Sequence, residues 1–153
     1  MKRADGLMRR NYLAEARDLV LELMQDELRS ITFCQARVLV ELLLRSIKES
    51  TRQDRKTRSL AKQIRPYRSG YLPEERREIE QQLFDGELLS VVSTSALEVG
   101  IDVGGLDAAL LLGFPGSLAS FWQQFGRAGR GAREALGVLM AAGGPLDQYY
   151  LKR

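Results

Sequence analysis

The chain of 153 residues contains no histidine and only one cysteine, Cys34. The lack of histidine removes the commonest metal ligand and general base, so we expect no protein metal site. A single cysteine excludes an internal disulfide. No apolar run approaches the roughly 18 residues of a membrane span, and no signal-peptide h-region follows the N-terminus. These absences predict an intracellular, cytoplasmic protein without a membrane partner.

Nucleotide-binding loops are missing as well. None of the lysines follows a glycine, so there is no Gly-x-x-x-x-Gly-Lys-[Ser/Thr] loop to hold phosphates. The sequence also contains no Asp-Glu-x-His motif. The run Asp26-Glu27-Leu28-Arg29 resembles it only superficially, because this run ends an amphipathic segment instead of following a buried strand. The groups that bind Mg²⁺ and activate water for ATP hydrolysis are therefore absent from this sequence. A dinucleotide enzyme is disfavoured too, because no Gly-x-Gly-x-x-Gly joins a strand to a helix.

The composition fits one globular domain, with 44% hydrophobic and 28% charged residues. The formal net charge of +3 is mildly basic. Such a charge permits an anionic partner such as nucleic acid without requiring one.

Apolar periodicity predicts the secondary structure. Helical spacing covers residues 11–28 and 36–50, and a helix over 73–85 opens with Pro73 and two acidic residues. Short apolar, buried strands are expected at 30–34, 64–67, 88–93, 108–112 and 137–141. Another helix starts near Pro145. Because helices or crossovers separate the strands, the sequence predicts an α/β fold with a parallel sheet.

Two polar stretches lack this periodicity. Residues 1–10 are interpreted as a flexible arm or the remnant of an inter-domain linker, and residues 49–62 as a loop or disordered insertion. Between Arg52 and Arg68, seven lysines and arginines accompany the single acid Asp54. A solvated charge run is the simpler interpretation, and a rim that attracts phosphate is the alternative.

Candidate binding residues follow the predicted strands. Ligands of parallel α/β sheets bind at the carboxyl ends of the strands. Those ends lead into Cys34-Gln35-Ala36-Arg37, Arg68-Ser69-Gly70, Ser93-Thr94-Ser95 and Gly113-Phe114-Pro115-Gly116-Ser117. Helix N-termini and small hydroxyls there suit a phosphate backbone. Helix capping and turn formation are the alternatives for Ser93, Thr94 and Ser117.

One stretch carries two arginines among glycines, Gln123-Gln124-Phe125-Gly126-Arg127-Ala128-Gly129-Arg130. In a helix, Gln123, Arg127 and Arg130 share one face. Guanidinium groups suit bidentate contact with phosphate oxygens, so two on one face suggest a polyphosphate ligand. A solvated helix end with two favourable positive charges is the alternative.

The pattern Gln-x-x-Gly-Arg-x-x-Arg resembles motif VI of superfamily 2 helicases. The stretch from Ser93 to Asp107, which contains Thr-x-Ala-Leu-Glu-x-Gly-Ile-Asp, resembles motif V of the same family. The two motifs stand in the family's order and separation. This resemblance implies the second RecA-like lobe of a helicase, a three-layer domain whose mainly parallel sheet has about five or six strands flanked by helices.

The resemblance also implies roles for particular residues. Residues 31–37 resemble motif IV and residues 68–77 more loosely motif IVa, and both are nucleic-acid contacts in the family. The nucleic-acid-binding residues implied are Cys34, Gln35, Arg37, Arg68, Gly70, Ser93 and Thr94. Gly100 and Asp102 of motif V are implied to couple the nucleotide site to the strand, although Asp102 also suits a plain turn. Arg127 and Arg130 are implied to reach the γ-phosphate of ATP across a cleft, with Gln123 supporting them.

A narrower resemblance, to the MrfA/YprA-like DNA helicases, covers nearly the whole chain from Asn11 onward. It rests on Tyr67 to Arg77, on the motif V wording, on Gly113-Phe114-Pro115-Gly116 and on Pro145-Leu146-Asp147-Gln148-Tyr149. Members of that branch are ATP-dependent DNA translocases of 3′ to 5′ polarity, linked to DNA repair, with a zinc region that carries cysteines. Only Cys34 is present here, so that zinc region is not.

We therefore expect residues 11–153 to form a helicase C-terminal RecA-like domain that is inert as an ATPase alone. ATP and Mg²⁺ would be held mainly by the first RecA-like lobe of the same polypeptide. The expected partner is DNA, either single-stranded or a 3′-tailed duplex. The alternative function is a free-standing nucleic-acid-binding or regulatory module derived from such a lobe, which would bind single-stranded DNA in a salt-sensitive way.

Overall fold

The computed structural model of the protein describes residues 2–67, 70, 72–94, 106–113 and 136–140. Its strands are β1 (Ser30–Cys34), β2 (Ile64–Tyr67), β3 (Ser90–Thr94), β4 (Ala108–Leu112) and β5 (Leu136–Met140). Its α-helices are α1 (Lys2–Gln25), α2 (Arg37–Gln53) and α3 (Pro73–Asp85), and a short 3₁₀ helix covers Arg58–Gln63.

The five strands form one parallel sheet in the order β2-β3-β1-β4-β5. The central strand β1 places Cys34 opposite both Thr94 of β3 and Leu112 of β4. At the flanks, Tyr67 of β2 pairs with Ser93, and Met140 of β5 pairs with Leu112. The carboxyl ends of all five strands therefore meet at one edge of the sheet, which confirms the predicted parallel α/β architecture.

Helices cover both faces of this sheet. On one face, α1 and α2 bury Val20, Leu43 and Ile47 in a cluster that includes sheet residues Val92 and Leu110. On the other face, α3 buries Ile79 and Leu83 in a cluster with Phe33, Val91 and Leu111. Because successive strand residues point to opposite faces, a strand covered on both sides must be apolar throughout, as the Ala108–Leu112 run is. The result is a three-layer domain.

The ends of α3 follow from its sequence. Pro73 occupies the start of the helix, and the Glu75 carboxylate accepts a hydrogen bond of 3.1 Å from the backbone N–H of Leu72. Gly86 ends the helix in the left-handed conformation with φ 81°, which glycine adopts without steric cost. The predicted helix over 73–85 is confirmed.

A polar network aligns the amino ends of the strands. The backbone N–H of Arg29 donates to Asp107 Oδ2 over 2.8 Å, and the N–H of Asp107 donates to the Arg29 carbonyl over 2.8 Å. The Arg29 guanidinium also donates to the carbonyl of Leu83, at the end of α3, over 3.2 Å. These bonds join the approaches to β1 and β4 with the last turn of α3, and so help to fix the register of the sheet.

In two polar segments the local structure differs from the expectation. α1 begins at Lys2, so residues 2–10 are helical and not irregular. Lysine, arginine, alanine, leucine and methionine in this stretch are good helix formers even without an apolar stripe. Residues 49–62 are not an irregular insertion either, since α2 continues to Gln53 and the 3₁₀ helix starts at Arg58. The helix expected near Pro145 lies outside the described residues.

Within the described ranges, no helix combines the length and apolar character that crossing a membrane requires.

Candidate nucleic-acid interface

The candidate interface is the edge where the parallel strands end. Neighbouring strands lie about 4.8 Å apart, so residues that follow in-register positions are close together. Gln35 follows the central strand β1, Thr94 ends β3, and Gly113 follows β4. Gly70 lies a few residues beyond β2. The structure thus brings together segments that the sequence analysis had selected from four separate strands.

Gln35 lies beside Gly113 at the middle of this edge. Gly113 has φ +86°, and a Cβ added there would lie 3.1 Å from Gln35 Nε2 and 3.2 Å from Gln35 Cδ. The N–H of Gly113 donates to the carbonyl of Met140 over 2.8 Å. Gly113 therefore allows the Gln35 amide to lie close against the end of β4. Gly113 belongs to one of the predicted binding segments, and a glycine directly after a buried strand is the sequence signal for such a close approach.

The amino end of α2 lies at the same edge. Ala36 precedes the helix in an extended conformation with φ −138°, and no side chain caps this helix start among the described residues. Arg37 and Val38 in the first turn are exposed, Val38 to 62%. The N–H groups of a helix start and its dipole favour a negative charge, and the Arg37 guanidinium adds a full positive charge. This segment is suited to binding an anion such as a phosphate.

Two of the predicted contact residues have buried side chains. Cys34 is 1% exposed, and its burial raises the pKa of the thiol from 9.0 to about 12. Ser93 is fully buried, and its hydroxyl donates to the carbonyl of Thr94 over 3.0 Å. Side-chain contacts from Cys34 and Ser93 are therefore excluded in this structure, which leaves only their backbone atoms. Strand alternation explains Cys34, because its side chain points into the cluster beneath α1 and α2.

The other predicted residues at this edge are accessible. Thr94 is half-buried and Gly70 is exposed, and no atom of the described residues lies within 4 Å of the position that a Cβ would take at Gly70. Just before Gly70, Tyr67 is buried and donates a hydrogen bond of 3.2 Å to Glu80 Oε1 on α3. Burial and the nearby Glu80 carboxylate raise the pKa of Tyr67 to about 12. Tyr67 thereby fixes the end of β2, a role that its sequence position as a strand-ending aromatic could have indicated.

The remaining predicted residues lie outside the described ranges. They are Arg68, Gly100, Asp102, Gln123, Arg127 and Arg130, together with Ser69, Ser95 and residues 114–117 of the candidate segments. Their roles stay predictions from the sequence. Among the residues that the structure describes, no cluster of three or more His, Cys, Asp or Glu side chains could hold a metal ion.

Comparison with protein families adds an independent finding. Residues 13–132 match the family model described as "Helicase conserved C-terminal domain". This match includes β1 to β4, α2 and α3, and with them every residue proposed above for the carboxyl edge.

Two curated relatives align along almost the whole chain. The "Uncharacterized ATP-dependent helicase YprA" of Bacillus subtilis is 46% identical over 145 residues, which are 95% of this chain and 19% of that protein. The "ATP-dependent helicase HRQ1" of Saccharomyces cerevisiae is 42% identical over 147 residues, or 94% of this chain and 13% of that protein. The chain thus spans about a fifth or less of the length of these relatives.

One solved structure is similar to this chain in both fold and sequence. The crystal structure of the "DUF1998 helicase MrfA bound to DNA and AMPPNP" matches with a TM-score of 0.81 at 45% identity, covering 92% of this chain and 19% of that one. The similarity therefore includes both the amino-acid sequence and the arrangement of the sheet and helices.

Proposed function

The chain belongs to the helicase conserved C-terminal domain family, and on that premise we propose that it acts as the second motor lobe of an ATP-dependent superfamily 2 DNA helicase or translocase. In this role it contributes nucleic-acid contacts and arginine fingers, while ATP and Mg²⁺ are held mainly by a first RecA-like lobe. The similarity to ATP-dependent helicases along at least 94% of the chain supports this assignment. This sequence has no Gly-Lys phosphate loop, which agrees with the proposal that the first lobe holds the ATP phosphates.

The carboxyl edge of the sheet is the observation that carries the DNA-binding part of the proposal. It aligns the accessible residues Gln35, Arg37 and Thr94 with one anion-attracting helix start. A DNA strand that runs along this edge would pass the carboxyl ends of β3, β1 and β4, which are in register. The structure of MrfA, which is 45% identical in sequence, is described as bound to DNA. This similarity supports DNA as the nucleic acid that the present chain binds.

The nucleotide part of the proposal rests on the motif resemblance. We assign Arg127 and Arg130 to the γ-phosphate of ATP, Gln123 to the support of that contact, and Gly100 with Asp102 to the coupling between nucleotide and DNA. Guanidinium groups that stabilise the charge of a transferring phosphoryl group act across a domain boundary in other enzymes of this kind. The isolated chain is accordingly expected to hydrolyse no ATP.

DNA-stimulated ATPase activity of the complete enzyme tests the arginine fingers. Replacing Arg127 or Arg130 by alanine should slow hydrolysis by roughly 10³- to 10⁵-fold, as loss of an arginine finger does elsewhere. DNA affinity of the same variants without nucleotide should stay unchanged. Full ATPase activity in the double alanine variant would overturn the assignment.

Binding of the 153-residue chain to single-stranded DNA and to a 3′-tailed duplex tests the carboxyl edge. Arg37→Gln removes one phosphate contact, so the slope of log K against log salt should fall by about 0.7 for a single strand. Thr94→Val should weaken binding, whereas the matched control Thr94→Ser, which keeps the hydroxyl, should not. Unchanged affinity in both Arg37→Gln and Thr94→Val would show that this edge does not bind the strand.

A further inference from the structure

A second cationic surface lies away from the carboxyl edge. We call it the α2 basic surface and define it by seven exposed side chains on the second half of α2, the following turn and the 3₁₀ helix. These are Arg45, Lys48, Arg52, Arg55, Lys56, Arg58 and Lys62. Between residues 45 and 62 only two acids, Glu49 and Asp54, accompany them. Part of the surface borders a groove of about 430 Å³ between α2 and the edge strand β2, where Glu41 and Glu49 lie beside Arg45, Lys48 and Arg52.

The positive charge of this surface is not neutralised within the described ranges. The ion pairs found there join Arg17 to Asp18, Arg29 to Asp107 and Arg65 to Glu78, and so involve none of the seven cations. Asp54 uses Oδ1 to accept a 3.0 Å hydrogen bond from the backbone N–H of Lys56, which shapes the turn. The surface therefore keeps most of its charge for an external anion.

The backbone that carries these cations is anchored to the core. Thr51 and Thr57 are buried, and their hydroxyls donate to the carbonyls of Lys48 and Asp54 over 2.9 and 3.4 Å. Leu60 is also buried, in the cluster beneath α1 and α2. A solvated charged loop needs no such anchors. Holding the backbone in place lowers the entropy that the segment loses when it binds a partner.

The surface is well separated from the proposed strand site. The start of α2 lies at the carboxyl edge of the sheet, and its 17 residues extend over about 25 Å. Since a helix that connects parallel strands runs back along the sheet, the cations after Arg52 lie toward the amino ends of the strands. Only a ligand that extends beyond the carboxyl edge could contact both places at once.

The chemistry of the surface indicates a phosphate backbone. The exposed large apolar side chains of the described residues are Val38, Leu42, Leu72, Phe84 and Leu136, so residues 43–63 contribute none. The core of a protein interface is apolar and depleted in charge, whereas nucleic-acid interfaces are polar and strongly positive. We infer that the α2 basic surface is a second, sequence-independent site for the phosphodiester backbone of DNA. The inference rests on the proposed function only for the identity of the nucleic acid.

The test compares two triple variants of the chain, R52Q/R55Q/R58Q and the charge-preserving R52K/R55K/R58K. Both are measured by fluorescence anisotropy over a salt series, with a short oligonucleotide that fills only the carboxyl edge and with single-stranded and duplex DNA longer than 25 Å. For the long ligands, the glutamine variant should lose about 2 units of salt slope on a single strand and about 3 on a duplex. The lysine variant should keep its slope, because lysine also binds phosphate as a point charge. Neither variant should change binding of the short oligonucleotide.

Equal slopes for the glutamine variant and the unmodified chain on both long ligands would overturn the inference, as would an equal loss of affinity for the short oligonucleotide. Loss of slope in the lysine variant as well would also count against a point-charge site. Thermal melting of both variants controls for folding. If Arg37→Gln weakens binding while the triple glutamine variant does not, the second site fails and the proposed function stands. If only the triple glutamine variant changes the slope, the second site stands and the strand assignment at the carboxyl edge fails.

Discussion

Gly113 links the stability of the fold to the geometry of the candidate interface, and Gly86 provides a matched control. Both residues adopt left-handed φ values, +86° at Gly113 and +81° at Gly86. They differ in their surroundings, because within the described ranges a Cβ at Gly86 meets no atom within 4 Å, whereas one at Gly113 meets the Gln35 side chain at 3.1 Å. Substitution by alanine therefore applies the same backbone cost at both positions but disturbs a neighbour at only one.

The expected magnitudes follow from these contacts. An L-residue in the left-handed region costs roughly 1–2 kcal/mol, which lowers the Tm of a domain of this size by about 2–8 °C. Gly113→Ala and Gly86→Ala should melt at similar temperatures, since the end of a flexible glutamine can rotate away from the new methyl group. The Gln35 amide has to give way by a few tenths of an ångström, which misaligns a hydrogen bond that it would donate to DNA at the carboxyl edge. Loss of one hydrogen bond of about 0.5–1.5 kcal/mol corresponds to roughly 2- to 12-fold weaker DNA binding.

The assay is thermal melting followed by anisotropy with single-stranded DNA. Gly70→Ala serves as a second control, because no positive φ and no neighbour within 4 Å are found for Gly70 among the described residues, so its Tm should not fall. Unaltered DNA affinity in Gly113→Ala would refute the participation of Gln35 in the interface. An unaltered Tm in Gly86→Ala would refute the backbone cost on which the comparison depends.

Three further predictions concern the core, the strand register and pH. Leu43→Ala removes a fully buried side chain and should cost about 2–5 kcal/mol in urea unfolding, whereas Leu42→Ala, at a 41% exposed position, should cost under about 1 kcal/mol. Asp107→Ala leaves the Arg29 N–H without its acceptor and should cost about 1–3 kcal/mol, while Asp107→Asn keeps an acceptor oxygen and should cost less. The raised pKa of Cys34 means that the unfolded chain ionises first, so stability is full below about pH 9.0 and falls as pH rises toward 12. Cys34→Ala should reduce that alkaline decline in urea midpoints, and an identical decline in the variant would contradict this origin.

The sheet could be predicted from sequence because each strand is a short apolar run between polar breaks. β1, β2 and β4 have the bounds that the sequence predicted. β3 starts two residues later than expected, because Leu88 and Leu89 are buried but donate their N–H groups to Gln82 and Gln63 before the ladder begins. The apolar character of a residue predicts that it is buried. It does not predict which carbonyl accepts the hydrogen bond of its backbone N–H.

The segment around residues 49–62 shows why the rest could not be predicted. Its contact with the core depends on Leu60 and on two threonines whose hydroxyls bond backbone carbonyls nearby. Three buried residues among many charges produce no helical or strand period, so pattern analysis interprets the segment as a loop. At the candidate site the motif spacing pointed to the carboxyl edge of the sheet, but it did not separate the buried Cys34 and Ser93 from the accessible Gln35 and Arg37.

The contrast between buried and accessible side chains determines which groups of the protein could contact DNA at the carboxyl edge. The groups accessible at the carboxyl edge are an amide, a guanidinium, a hydroxyl and the N–H groups of a helix start. Such groups suit the phosphate and sugar oxygens of a nucleic acid. Among the described residues at the carboxyl edge, no exposed aromatic ring is present that could stack on a base, and no helix is placed to enter a groove. Contacts made by these described residues should therefore be insensitive to base sequence, which is the behaviour expected of the proposed motor lobe. A strong preference for one oligonucleotide sequence over a scrambled one of equal length would contradict this account of the edge.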